Sequence, residues 1–155
     1  MVEKPGFDVQ AAHKYFSAEC FNRAWDFIDK PERTEEEDER MLLLALASLW
    51  HWTEREDCTA TNLSVGYWQV ARTYALIGKA DHARHYGQLS LDASQADGVL
   101  TFYRGYAYEA LARAEWVAGD GHKKDAFILQ ARQVAQEILD KEDRERLLAD
   151  LDTIH

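Results

Sequence analysis

A chain of 155 residues fits one domain, large enough to bury about 70% of the surface its unfolded form exposes without a metal or disulfide staple. With 28 acidic against 18 basic residues the net charge is −10, which opposes docking on phosphate backbones or anionic lipid and argues against nucleic acid and membranes as partners. The first residues, MVEKPGFDVQ, hold no apolar targeting core, no run approaches the roughly 18 apolar residues that span a bilayer, and Cys20 and Cys58 stand without Cys or His at ligand spacing. A cytoplasmic protein with free thiols, no metal and no cofactor is expected.

Only two prolines, Pro5 and Pro31, punctuate the sequence, and β-branched runs bounded by turns are missing. The fold class is therefore read as all-α. A first helix is expected over about 8 to 29, ending before Lys30-Pro31 because the residue preceding proline is biased out of the helical region. Its Phe16, Cys20, Phe21, Ala24, Trp25 and Ile28 make a broad apolar face, and most of them read as core. Thr34-Glu35-Glu36-Glu37 has the form of a capping box, with Thr34 as N-cap and Glu37 reaching back, and the second helix should run to about Arg55. Asp57 to Asn62 reads as a loop, with Asn62 as N-cap of a third helix that ends at Gly78. A fourth helix starts near Ala80 or Asp81 and fades at Ser94 to Gly98; a fifth runs from about Val99 to Gly119; a sixth spans about 122 to 139. The last, about 141 to 153, is charged on most sides and reads as a solubilising cap.

Two stretches copy each other at an offset of 41: Tyr67, Val70, Ala71, Arg72 and Gly78 return as Tyr108, Leu111, Ala112, Arg113 and Gly119. Self-similarity at this period marks a unit that must stack on a copy of itself to bury its apolar side. Tyr67, Val70, Ala71, Tyr74, Gly78 and Ala83 follow one another with the spacing of a tetratricopeptide repeat, and the segment from Tyr67 to Ser90 resembles that family. In the second copy Glu115 stands where the pattern has Tyr, and Ala126 arrives two residues late. The resemblance implies a right-handed superhelix of about three stacked antiparallel helix pairs closed by a C-terminal capping helix, a single domain over 1–155. Residues 8–55 would be a degenerate pair, 62–95 the best repeat, 99–139 the second and 141–153 the cap.

The resemblance also implies that the first helix of each repeat lines a concave groove. Carried onto this sequence, the groove positions are Trp68 and Arg72 in one repeat, Glu109, Arg113 and Trp116 in the next, and Tyr106 one step before. Arginine beside aromatic rings suits a carboxylate, a phosphate or a peptide end, since the guanidinium offers a planar fork and the rings exclude water. The same arginines would equally serve as ordinary ion-pair partners, and Glu109 to Arg113 is an i,i+4 pair worth only about 0.3 kcal/mol on a surface. Leu49-Trp50-His51-Trp52 is a second concentration. Adjacent helical residues splay too widely for all of them to face one core, so His51 and Trp52 are candidate groove residues.

The favoured expectation is a non-enzymatic scaffold that captures a protein or peptide tail bearing an acidic or carboxylate group, with Arg72 and Arg113 meeting that group between walls of Trp68, Tyr106 and Trp116. A second is small-molecule binding, with or without catalysis, in an aromatic pocket between helices two, three and five that includes His51 and Asn62. A third is a homodimer built on exposed rings.

Overall fold

The computed structural model describes all 155 residues and contains seven helices and no strand: α1 (Val9–Ile28), α2 (Glu35–Thr53), α3 (Ala60–Leu76), α4 (Ala80–Ser94), α5 (Thr101–Ala118), α6 (Gly121–Ala135) and α7 (Lys141–Leu151). None is long and apolar enough to cross a membrane.

Local chemistry sets most of the boundaries. Asp8 caps α1 by accepting from the Ala11 N–H. Thr34 and Glu37 form the reciprocal box at the start of α2, each side chain accepting from the other's backbone N–H. At α3 the cap differs from the expected one. Thr59 is the N-cap, and Asn62 sits three residues inside, its carboxamide oxygen accepting from the Thr59 N–H. The Thr59 hydroxyl accepts from Asn62 in return, so the helix begins at Ala60. Gly78 and Gly119 take positive φ at the ends of α3 and α5, where the chain turns back. The sixth helix stops at Ala135, earlier than its sequence pattern suggests, and Ile138 beyond it is buried in the turn.

Short turns make α1 with α2, α3 with α4, and α5 with α6 into helical hairpins that pack in sequence, with α3 also against α5 and α7 closing the end on α5 and α6. Small residues let the hairpins approach: Ala75, Ala83 and Ala114 form one buried cluster. Met41, Ala45, Leu49 and Val70 join the first two hairpins. Ala112, Ala131, Leu147 and Leu151 join the third to α7. The charged sequence of α7 thus hides an apolar stripe, and it docks over Gly105, where an added Cβ would lie 2.5 Å from Leu147 Cδ2. Glu115, which departs from the repeat pattern, is matched by Arg84 of the preceding hairpin. That guanidinium donates through Nε at 2.7 Å and Nη2 at 3.1 Å to the two carboxylate oxygens.

Candidate functional site

α1, α3, α5 and α7 share one face of the stack, and the side chains they turn toward one another form two neighbouring clefts. The larger, about 230 Å³, is walled by Trp25 of α1, Val65 and Trp68 of α3, Phe102, Tyr103 and Tyr106 of α5, with Arg146 and Asp150 of α7 at its polar edge. Trp68 stands edge-on to Tyr106, with centroids 5.6 Å apart, and lies 5.7 Å from Trp25. Ser64 and Ser90 lie at the base. Each hydroxyl donates to the other residue's carbonyl oxygen, at 3.1 and 2.9 Å. The Tyr106 hydroxyl donates to Asp150 Oδ2 at 2.5 Å; burial, then that bond, hold the phenol well above its ordinary pKa. Arg146 is exposed and makes no hydrogen bond or ion pair within the chain.

One turn beyond Trp68 lies the smaller cleft, about 60 Å³, lined by Arg72, Ala75, Leu76, Arg113, Trp116 and Val117. Between the clefts sits Glu109, only 1% exposed. Its Oε2 accepts from the Trp68 indole N–H at 2.9 Å, and its Oε1 accepts from Arg72 Nη1 at 3.2 Å and from Arg113 Nε. Burial pushes this carboxyl up to about 7, against the pull of Arg72 and the Trp68 N–H. Arg113 is fixed further by donating through Nη2 to the Asp150 carbonyl at 3.1 Å and to Thr153 Oγ1 at 2.7 Å.

Trp68, Arg72, Tyr106, Glu109, Arg113 and Trp116 therefore come together on one face. The arginines are not the free forks that the sequence suggested, because Glu109 already holds both. The Glu109–Arg113 pair is also not the solvated i,i+4 pair expected, since it lies beneath the aromatic walls.

The remaining candidates lie elsewhere. No residue of α2 lines either cleft, so the expected pocket between helices two, three and five gives way to one between α1, α3, α5 and α7. His51 faces α1: its Nδ1 shares a hydrogen bond with His13 Nδ1 at 2.8 Å, and its ring stacks on Phe16. Burial and His13 lower its pKa. Trp52 is covered by the Arg55 guanidinium, 3.8 Å from its ring centroid. Asn62 is spent on the capping box. Trp50, 55% exposed, points outward beside His13.

Trp25, Val65, Phe102, Tyr103, Arg146 and Asp150 complete the larger cleft and were not picked out as site residues from sequence. Trp25 reads as core on an amphipathic helix, and the i,i+4 pair Arg146 and Asp150 lies in a segment that reads as solvated throughout. No protein-family model matches the chain, and neither a curated protein nor a solved structure matches it.

Proposed function

We propose that this chain is a tetratricopeptide-like, non-enzymatic docking module that binds a segment of another protein along the face shared by α1, α3, α5 and α7. The observation that carries this reading is the aromatic-walled cleft of about 230 Å³. It has room for about one large apolar side chain, and it falls below the roughly 300–1,000 Å³ of pockets that engulf a metabolite. Aromatic walls with a guanidinium at the edge are the makings of a binding anchor: the rings supply desolvated contact and Arg146 is available for an acidic group on the partner. The hydroxyls at its base are each committed to the other residue's backbone carbonyl, which suits a receiving surface better than a reacting one. Two free thiols suit a reducing, cytoplasmic setting.

The test is to pan a random peptide library against the protein and measure the recovered peptides on wild type and on Val65→Phe, which adds a ring inside the cleft. Recovered sequences should share a large apolar residue, and Val65→Phe should weaken them tenfold or more. Peptides without such a residue, or indifferent to Val65→Phe, would contradict the proposal.

Self-association has an observation of its own: Tyr15, Phe16 and Trp50 form an exposed ring cluster with His13 and His51 on the first hairpin, away from both clefts. Its mark would be sedimentation at twice 17.9 kDa.

A further inference from the structure

Helix α2 is apolar on every side beyond its first turns. From Met41 to Thr53 it carries no Asp, Glu, Lys or Arg, and a helix apolar all round is one that is covered all round. Its buried Met41, Ala45, Ser48 and Leu49 face the core, where α1 and α3 pack against it. The opposite side is bare: Leu43 is 60% and Trp50 55% exposed, with the half-buried Ala47 between them. The two ends of the stack differ in this respect. At the far end α7 lays Leu147 and Leu151 against the third hairpin, and no element of the chain does the same for α2.

The bare side has a spacing of its own. Arg40, Leu43, Ala47, Trp50 and Glu54 recur at intervals of three and four and so share one stripe. Its two halves complement each other about Ala47: Arg40 and Glu54 stand seven residues to either side, Leu43 four before and Trp50 three after. Two such helices laid antiparallel across a twofold axis at Ala47 would set the small residues against each other, where the backbones can approach. Each Leu43 would then lie beside the partner's Trp50, and each Arg40 opposite the partner's Glu54. Within one chain both charges are exposed and neither side chain has an ion-pair partner. A parallel pairing would instead oppose like charges. Glu35 and Glu36, roughly 16–18 Å along the helix from Ala47, would project past the partner's Thr53, its last helical residue. Phe16, stacked on His51, and Tyr15 widen the apolar area toward α1.

We propose that this stripe is a homodimer interface, in which α2 of one copy packs antiparallel on α2 of a second around Ala47 and an Arg40–Glu54 ion pair between copies closes each end. Such an interface deepens the self-association reading, on which it rests, by naming a surface and a register. No residue of α2 lines either cleft, so the docking reading plays no part in it.

Sedimentation equilibrium of the full chain tests it. Wild type at about 100 μM should sediment at twice 17.9 kDa, as suits an interface near the small end of the stable ones. Leu43→Glu, at an exposed position where the single chain tolerates a substitution, should give monomer under the same conditions. Arg40→Glu opposes two pairs of like charges and should weaken association about tenfold or more. Adding Glu54→Arg restores both pairs in reverse and should return association to within about threefold of wild type. A monomeric wild type would overturn the interface and the self-association reading together. A dimer that survives in folded Leu43→Glu would overturn the surface alone, and a double variant no tighter than Arg40→Glu would overturn the antiparallel register. Should Leu43→Glu fail to fold, Trp50→Ala serves in its place, with loss of the dimer expected and its persistence at wild-type affinity fatal.

Discussion

Helix α5 buries two carboxylates six residues apart, and they are treated in opposite ways. Glu115, 2% exposed, has one partner: Arg84 reaches it from the preceding hairpin through two parallel N–H···O bonds, and the Arg84 pKa is raised first of all by that contact. The pair is closed. Its donors and acceptors match, and it joins the second hairpin to the third. Glu109 is oversubscribed instead, with one indole and two guanidiniums converging on its two oxygens while further guanidinium N–H groups go unused. A matched pair locks two hairpins together. An unmatched one leaves positive charge over, and here it lies beside an aromatic pocket. The contrast teaches that a buried ion pair is read by what it leaves over, not by its presence.

The largest effect should come from breaking the closed pair. Arg84→Met leaves Glu115 buried without its partner and should destabilise the fold by about 3 kcal/mol, the lower end of such losses because Arg84 is 39% exposed and solvent screens it. For a chain of this size that is a fall in melting temperature of roughly 6–12 °C, measurable by calorimetry. A change under about 2 °C would erase the distinction between the two carboxylates.

A smaller effect tests the other side. The Glu109 carboxyl is raised from 4.5 to about 7 in the folded chain, so between those values the native state holds a proton that the unfolded chain releases. The stabilisation is present below about 4.5 and is lost as pH rises toward 7. Wild type measured against Glu109→Gln should therefore lose on the order of 2 kcal/mol of relative stability between pH 5 and pH 8, as read by urea denaturation. A difference independent of pH would show that the two guanidiniums keep Glu109 ionised throughout.

Much of the fold is legible in sequence because its signals are local. The Thr34 and Glu37 box and the glycines at 78 and 119 each sit at a helix end, and the copy at an offset of 41 is read by laying one segment of the chain on another. Thr59 and Asn62 show how narrow the margin is, since either is a good cap and only the reciprocal bond decides between them. The site is legible in part. The positions of Trp68, Arg72, Glu109 and Arg113 follow from the repeat, but their pairing does not, because whether Glu109 meets solvent or two guanidiniums depends on how closely α3 approaches α5. The larger cleft was beyond reach for the same reason. It is assembled from α1, α3, α5 and α7, and the gap at Gly105 that lets Leu147 dock, and so brings Asp150 to Tyr106, becomes visible only when the ends of the chain are packed together.

The measurement that goes most directly to the central claim compares the melting temperatures of Arg84→Met and Arg72→Met by calorimetry. Each variant removes one guanidinium from a buried carboxylate of α5. Arg84→Met should fall by roughly 6–12 °C, whereas Arg72→Met, which leaves Glu109 held by Arg113 and the Trp68 indole, should fall by less than about 4 °C. Equal falls, or a larger one in Arg72→Met, would mean that Glu109 has no partner to spare.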